Sequence, residues 1–127
     1  MELIKWTEAI SIDHPLIDRQ HQDLFDLVNR LIENNGIDHE LVKKYLLDLK
    51  TYSEQHFSEE EAVMQERAYP KLEDHKFEHR FFIRRISSFC KEVHNDNQEL
   101  SQKMLEFLTD WLGHHTLVED QDYKKYL

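Results

Sequence analysis

The sequence predicts an all-α protein, an up-down-up-down antiparallel four-helix bundle with an N-terminal packed arm. Only two glycines and two prolines interrupt the 127 residues, so the chain can hold long helices and few tight turns. Four stretches repeat apolar residues at helical spacing, and the connections between them, near 36–38, 68–70 and 94–96, are short. Short connections make consecutive helices antiparallel neighbours. We expect one domain over 1–127, with the arm in 1–14 and the bundle in 15–127.

The charge and the apolar content exclude several classes of partner. A formal net charge of -10 argues against a nucleic-acid or anionic membrane partner, since both would repel the protein. No apolar stretch reaches membrane-spanning length, and the first residues do not form a secretion signal. The single cysteine, Cys90, excludes an internal disulfide and a thiolate metal cluster. These features predict a soluble, cytoplasmic protein, and they do not identify a protein partner.

The arm and the first helix follow from apolar patterning. The arm carries residues too apolar for a loose tail, namely Leu3, Ile4, Trp6, Ile10 and Ile12. Pro15 suits the first position of a helix, where its missing N–H costs nothing, and Gly36 suits the residue after the helix end. Helical spacing from Ile17 to Ile32 places His21 on the buried face.

The second and third helices carry the unusual polar residues. Asp38 is suited to cap the second helix, and the inner face of that helix includes His56 and Glu60. An ordinary surface acid would be expected on the outer side, with Glu59 and Glu61. Pro70 is expected to open the third helix, whose apolar face carries His75, His79 and, further along, Cys90 as core filling.

The fourth helix is expected to start at a capping box formed by Asp96 and Glu99. Its buried stripe runs from Leu100 through Trp111 and Leu112 to His115. The remaining histidines are expected at the surface or at helix ends, and these are His14, His39, His94 and His114.

Six candidate metal ligands converge in this topology. A spacing of four residues turns an α-helix only about 40° past a full turn, so His56 with Glu60 and His75 with His79 each point one way. His21 is near the start of helix one, the first pair near the end of two, the second pair near the start of three, and His115 near the end of four. All those places lie at the same end of an antiparallel bundle. Buried polar groups without partners are costly, so their convergence predicts a metal site.

A seventh ligand is ambiguous from spacing alone. Asp120 is five residues after His115, and five residues turn about 140° off the face of a regular helix. Asp120 can face inward only if the helix widens locally, ends in a tighter turn or unwinds after Thr116. Glu119, at a spacing of four, competes with Asp120 on simple geometry.

The ordered set of motifs resembles the hemerythrin family of non-haem diiron oxygen-binding proteins. The match covers nearly the whole chain and comprises Trp6, Ile17-Asp18-Arg19-Gln20-His21, His56-Phe57-Ser58-Glu59-Glu60, His75 with His79, and Trp111-Leu112-Gly113-His114-His115 followed by Asp120. Each motif alone is weak, but seven positions in the right order and helices are highly specific. The family uses a histidine and an aspartate five apart at the end of its last helix, so the resemblance favours Asp120 over Glu119.

The resemblance implies a cofactor of two iron ions with an oxo or hydroxo bridge. His75, His79 and His115 would hold one iron, His21 and His56 the other, and Glu60 with Asp120 would bridge them. The second iron would keep one open position for dioxygen. The ligand set of imidazoles and carboxylates also suits manganese or zinc, and iron is the choice if oxygen is handled.

The implied function is reversible dioxygen binding for storage, delivery or scavenging, without enzymatic turnover. Trp111 and Leu112 are expected to help line a dry oxygen pocket. Thr116 belongs to the same region, directly after His115, where an aliphatic residue is usual in the family. Its hydroxyl would lie near the open iron. The alternatives are a sensor of oxygen, nitric oxide or redox state, and a diiron peroxidase or nitric oxide reductase.

Overall fold

The structure is a computed structural model that describes residues 1–95 and 98–127, and all regular secondary structure in those residues is helical. The four main helices are α1 (Pro15–Asn34), α2 (His39–Glu66), α3 (Leu72–Asn95) and α4 (Gln102–His114). A π-helical turn, His115–Glu119, joins α4 to a short helix α5, Asp120–Lys124. Since α1 packs against α2 and α4, and α2 packs against α3, the predicted all-α four-helix bundle is confirmed.

The helix ends follow the predicted caps in the first half of the chain. Pro15 begins α1, and Gly36 follows its end with φ of 78°, a left-handed conformation that favours glycine. Asp38 caps α2 by accepting a hydrogen bond from the Leu41 N–H at 3.1 Å. The prediction that Pro70 opens the third helix was wrong by two residues, because α3 begins at Leu72 and Pro70 lies in the preceding turn.

The predicted start of the fourth helix was wrong. Glu99 lies outside any helix, and Asp96, its predicted capping partner, lies outside the described residues. Helix α4 is capped by Ser101, whose Oγ accepts from the Met104 N–H at 3.2 Å. The reason lies in a distant contact, because the Asn35 side chain binds both the N–H and the carbonyl of Leu100, at 2.9 and 2.8 Å. These bonds hold Leu100 in a non-helical segment.

The N-terminal arm is packed against the bundle, as predicted. The Asn29 side chain binds the N–H and the carbonyl of Ile4, each at 2.8 Å. Asp18 accepts from the Ser11 hydroxyl at 2.6 Å and from the Ile12 N–H at 2.9 Å. Ile10 and Ile12 are buried, whereas Leu3 is exposed. The second half of the arm therefore contributes fully buried side chains, and Ile4 and Trp6 of the first half pack against the core while partly buried.

The buried side chains form two apolar clusters with a polar layer between them. The larger cluster, the main core, runs along the bundle, and the smaller cluster, the end cluster, consists of Ile12, Ile17, Met64, Tyr69 and Tyr123. On α1, His21 falls between Ile17 of the end cluster and Leu24 of the main core. The candidate ligands of the other helices fall between the two clusters in the same way. Among the residues that the structure describes, no helix is long and apolar enough to cross a bilayer.

Candidate metal centre

The seven side chains predicted as ligands lie together in the polar layer. They come from α1, α2, α3 and both parts of the segment after α4, and they are His21, His56, Glu60, His75, His79, His115 and Asp120. All seven are at most 2% exposed. Regular helical spacing explains why the first six face inward, as the sequence predicted.

Glu60 lies at the middle of the layer, and its two oxygens face different pairs of imidazoles. Oε2 is 3.4 Å from Nε2 of His21 and 3.4 Å from Nε2 of His56. Oε1 is 3.0 Å from Nε2 of His79 and 3.2 Å from Nε2 of His115. The carboxylate therefore spans two sets of nitrogen donors.

Asp120 reaches the layer because the helix widens. The Asp120 N–H donates to the His115 carbonyl, a bond across five residues, so one full turn separates the two residues. One carboxylate oxygen, Oδ2, lies 2.9 Å from Nε2 of His21 and 3.1 Å from Nε2 of His115, and Oδ1 lies 4.0 Å from Nδ1 of His75. Of the three backbone alternatives, the structure has the widened helix.

Glu119, the competing acid, points elsewhere. Its side chain is 34% exposed, and its Oε1 lies 3.1 Å from Nε2 of His114 at the surface. Its other oxygen comes no closer than 3.9 Å to His75. Glu119 therefore lies at the edge of the layer, with Asp120 inside it.

The residues of the layer fit a metal centre, because their inward-facing atoms are left unsatisfied. The unpartnered buried atoms within residues 1–95 and 98–127 include Nε2 of His21, His56, His75, His79 and His115, Oε1 of Glu60 and both oxygens of Asp120. Several of these atoms approach one another closely, but not with hydrogen-bond geometry. Buried polar atoms without partners are rare and costly, and a cation would satisfy all of them at once.

The donors also have suitable spacing and chemistry for metal. Two groups of four donors each have ligand atoms within 4.8 Å of one another: His21, His56, Glu60 and His115, and Glu60, His75, His79 and His115. Nitrogen and oxygen donors without thiolate suit iron, manganese or zinc. The layer holds more donors than the four of a closed structural zinc site.

The buried charges in the layer shift the pKa values of their neighbours. Burial raises the pKa of Glu60, but the imidazoles of His115 and His56 outweigh burial and hold the pKa well below its usual value. Burial and the negative charge of Glu60 together raise the pKa of Asp120 well above its usual value. Burial lowers the pKa of His115 to about 3. For His21, burial also lowers the pKa, but contacts with Asp120 and Glu60 outweigh it and raise the pKa to about 10.

Two of the imidazoles are oriented by polar side chains that contact Nδ1, the ring nitrogen that faces away from the layer. Nδ1 of His79 lies 2.7 Å from Oε2 of Glu61. Nδ1 of His56 lies 2.7 Å from Oε1 of Gln20, whose amide nitrogen donates to Glu59. A partner on the outer nitrogen sets the tautomer and directs Nε2 inward.

Sequence reasoning missed these supporting residues. Glu59 and Glu61 were assigned to the outer side as ordinary acids, yet each supports a different histidine. Their positions next to Glu60, and the position of Gln20 next to His21, were the available signal. The three consecutive glutamates therefore have three separate roles, which periodicity alone does not reveal.

Aromatic and aliphatic side chains enclose the layer. Trp111 stacks on His115, with ring centroids 4.7 Å apart and an interplanar angle of 14°. Phe57, which sequence reasoning did not single out, stacks on His79 at 4.0 Å and 3°. Leu112 next to Trp111 is fully buried. These side chains restrict the approach of water to two of the imidazoles.

Thr116 is buried, but its hydroxyl is engaged by the helix. The Oγ1 donates to the carbonyl of Leu112 at 2.8 Å and approaches that of Gly113 at 3.3 Å. Such bonding to the preceding turn is common for threonine in helices. The hydroxyl is therefore directed at the backbone rather than at the donors.

The other histidines lie at the surface or at helix ends, as predicted. His14 caps α1, since its Nδ1 accepts from the Ile17 N–H at 3.3 Å, and His39 is the first residue of α2. His94 is in the last turn of α3, and His114 is exposed. Cys90 is buried in the main core, which confirms its role as core filling.

The fold and the site together define a metal-binding helical bundle of the non-haem type. The family model of the hemerythrin HHE cation binding domain matches residues 13–127, and the chain therefore belongs to the hemerythrin family. This result confirms the resemblance seen in the sequence. Membership of the family makes the chain a non-haem oxygen-binding protein.

Individual relatives match along nearly their whole length. The chain is 35% identical to a bacteriohemerythrin of Clostridium acetobutylicum over 124 residues, covering 93% of this chain and 96% of the relative. It is 31% identical to a bacteriohemerythrin of Methylococcus capsulatus, covering 97% and 95%. The crystal structure of a wild-type hemerythrin superposes with a TM-score of 0.91 at 30% identity, covering 99% of this chain and 98% of that chain.

Proposed function

We propose that the chain binds dioxygen reversibly at a centre of two iron ions in the polar layer. The observation that carries the proposal is the position of Glu60, whose oxygens face two separate pairs of imidazoles. A carboxylate so placed is suited to bridge two metal ions. When bound, the two irons supply the redox chemistry that lets dioxygen attach and leave.

The proposed ligand sets follow this division. His75, His79 and His115 would hold one iron, His21 and His56 would hold the other, and Glu60 and Asp120 would serve both. The two groups of clustered donors support the division, since one contains His75 and His79 and the other contains His21 and His56. Both groups contain His115, and its assignment to the first iron rests on its contact with Oε1 of Glu60 and on the family resemblance.

This division leaves room for an external ligand at one iron. Three imidazoles and two carboxylates serve the first iron, whereas two imidazoles and two carboxylates serve the second. The iron held by His21 and His56 would therefore have one protein donor fewer, and dioxygen is proposed to bind there. An oxo or hydroxo group shared by the two irons is part of the same proposal and would add one donor to each.

The surrounding side chains are proposed to keep the site dry. Trp111 and Leu112 form part of the enclosure, and excluding water slows irreversible oxidation of the iron. Thr116 belongs to the same enclosure, but its hydroxyl is engaged with the Leu112 carbonyl. It is therefore not proposed to donate a hydrogen bond to bound dioxygen.

Tyr123 has a separate role in this scheme. Its hydroxyl donates to Oε2 of Glu60 at 3.2 Å, and the residue is fully buried. The bond holds the Glu60 carboxylate in one orientation, so that its two oxygens are already placed to bind two metal ions.

The decisive experiment is a metal assay combined with visible spectra of the reduced protein. The expected result is two irons per chain and a coloured adduct that forms when oxygen is admitted and disappears on deoxygenation. Rapid oxidation with continuous consumption of peroxide would instead favour the peroxidase alternative. One iron or none after iron-replete expression would refute the diiron centre.

Variants test the ligand division. His56→Ala should lose the second iron first and retain the iron held by His75, His79 and His115. His39→Ala, at the start of α2 and away from the layer, is the matched control and should retain both irons. Retention of two irons in His56→Ala would contradict the assignment.

Storage, delivery or scavenging in the cytoplasm remains the proposed physiological setting.

A further inference from the structure

Ser53 on α2 is a fully buried polar residue that does not belong to the candidate ligands. Its Oγ has no hydrogen-bond partner within residues 1–95 and 98–127. A buried hydroxyl without a partner lowers the stability of a fold, and native proteins contain few of them. The Ser53 hydroxyl therefore requires an explanation outside the packing of the helices.

Other hydroxyl side chains of the bundle bond to their own helix. Ser87, Thr109 and Thr116 each donate to the carbonyl four residues earlier, at 2.8, 3.1 and 2.8 Å. This bond is the usual way in which a helix satisfies a serine or threonine hydroxyl. Ser53 makes no such bond to Leu49, so its hydroxyl is available to another acceptor.

The position of Ser53 in the sequence directs it towards the centre of the bundle. Ser53 is seven residues before Glu60, and seven residues come within about 20° of two full turns, so both residues lie on the same face of α2. Ser53 is also three residues before His56, which is about 4.5 Å along the helix axis. The serine therefore lies next to the polar layer, on the side of the main core.

The other three main helices carry an apolar residue at the equivalent position. Each of these residues is fully buried and is three positions from a candidate ligand, on the side of the main core, and they are Leu24, Phe82 and Leu112. In an antiparallel bundle, equal spacing from one layer brings residues of all four helices to one level. Ring contacts agree, since the Phe82 centroid lies 5.9 Å from that of Phe57 on α2 and 4.3 Å from that of Trp111 on α4.

The level formed by Leu24, Ser53, Phe82 and Leu112, the adjoining layer, is therefore apolar except for one hydroxyl. Leu112 belongs both to this layer and to the proposed dry enclosure. Ser53 lies on the same helix as His56, which is a proposed ligand of the iron with the open position. The adjoining layer thus places a single hydrogen-bond donor beside the proposed binding position of dioxygen.

We propose that the Ser53 hydroxyl donates a hydrogen bond to dioxygen at the open position and thereby slows its release. The inference rests on the proposed function, because it needs an iron-loaded centre, and it adds the residue that determines how long the ligand is retained. Dioxygen that accepts electron density from iron becomes a better hydrogen-bond acceptor, and a donor in a dry surrounding binds it more strongly than a donor in water. Loss of one such bond corresponds to release that is about 2- to 10-fold faster.

The test compares Ser53→Ala with Ser87→Ala. Ser87→Ala is the matched control, because it also removes a serine hydroxyl from a bundle helix, but one that is bonded to the Ile83 carbonyl. Iron content and the spectrum of the oxygen adduct are measured first in every sample. Stopped-flow mixing with an oxygen scavenger then gives the rate of dioxygen release.

Two further measurements separate hydrogen bonding from packing. Azide, an anion that binds ferric iron, is added to the oxidised protein, and its infrared stretching band is recorded in H₂O and in D₂O. A hydroxyl that donates to the ligand contributes to the shift of this band between the two solvents, whereas a change of space in the adjoining layer does not. The melting temperature of the iron-free protein reports whether the fold itself uses the hydroxyl.

The expected results differ between the two states of the protein. Without iron, Ser53→Ala should melt at the temperature of the parent or above it, because it removes a buried hydroxyl that has no partner. With iron, Ser53→Ala should release dioxygen about 2- to 10-fold faster and lose part of the azide isotope shift. Ser87→Ala should match the parent in both iron-loaded measurements.

Two outcomes would overturn the proposal. The first is an unchanged release rate and isotope shift in Ser53→Ala that has full iron and a normal oxygen adduct. The second is a lower melting temperature of iron-free Ser53→Ala, which would show that the hydroxyl has a partner in the fold. Failure of the parent protein to bind iron or oxygen would instead refute the proposed function itself.

Discussion

The contact between Glu61 and His79 leads to a quantitative prediction for Glu61→Gln. Oε2 of Glu61 lies 2.7 Å from Nδ1 of His79. Glutamine keeps the length and an accepting oxygen but removes the negative charge that makes the imidazole a stronger donor to metal. A hydrogen bond to a charged group contributes about 1.5–3 kcal/mol, against about 0.5–1.5 kcal/mol for a neutral one. The expected loss is therefore about 1–1.5 kcal/mol.

A loss of that size corresponds to metal binding that is about tenfold weaker. It lies at the lower end of the roughly 10- to 100-fold range for partners of metal-bound histidines. The lower end is expected because the Glu61 side chain is 25% exposed, so water screens part of its charge. Glu59→Gln should have a smaller effect, since Glu59 reaches His56 only through Gln20.

The assay is an anaerobic titration of the protein with ferrous iron in competition with a coloured chelator. Glu54→Gln is the matched control, because it removes the same charge from α2 at an exposed position that pairs with Lys50 at 3.8 Å. Equal affinities for Glu61→Gln and Glu54→Gln would refute the supporting role of Glu61. An unchanged melting temperature of the iron-free variants would show that the effect is not a loss of fold.

Three further outcomes are expected. Chelation of the metal should lower the melting temperature, because each ion at 100 times its Kd adds about 2.7 kcal/mol of stability, and equal melting curves would contradict a metal site. Leu112→Ala should destabilise the protein by about 2–5 kcal/mol and speed oxidation of the oxygen adduct, whereas Leu46→Ala, also fully buried, should destabilise without that acceleration. Iron uptake should release protons and strengthen as pH rises towards 9, since in iron-free protein the pKa of His21 is raised to about 10 and that of His79 to about 9. Calorimetry in buffers of different ionisation enthalpy measures the proton release, and iron uptake that releases no protons would contradict this prediction.

The causes of the two raised histidine pKa values also determine the direction of the pH effect. Burial lowers the pKa of His79, but contacts with Glu60 and Glu61 outweigh burial and raise it. At neutral pH the imidazoles of both His21 and His79 are therefore in the protonated, positively charged form in iron-free protein, and iron must displace the additional proton. As pH falls, more protons compete, so binding weakens.

Much of the bundle could be predicted because helical periodicity is a local property. The start of α1 at Pro15, the cap of α2 at Asp38 and the inward face of Glu60 all follow from residues within a few positions. The start of α4 could not be predicted in the same way. Glu99 has the form of a capping residue, but bonds from Asn35, 65 residues away, hold Leu100 outside the helix.

The residues of the candidate site also differ in whether local sequence predicts them. Six of the seven side chains in the layer follow from regular spacing and antiparallel packing. Asp120 does not, because Glu119 competes with it on regular spacing and only the family resemblance favoured the aspartate. The supporting partners Glu59, Glu61 and Gln20 were also missed, since each contacts a residue on a different helix: Gln20 meets His56, Glu61 meets His79 and Glu59 meets Gln20.

By itself, the sequence determined the helices, their antiparallel order and the end of the bundle where imidazoles and carboxylates gather, because 3.6-residue periodicity and short connections leave few alternatives. Only the tertiary structure decided that the last helix widens after His115 and which outer carboxylate supports which imidazole. Those features depend on contacts between residues far apart in the chain, whose energies outweigh local preference and leave no periodic signal in the sequence.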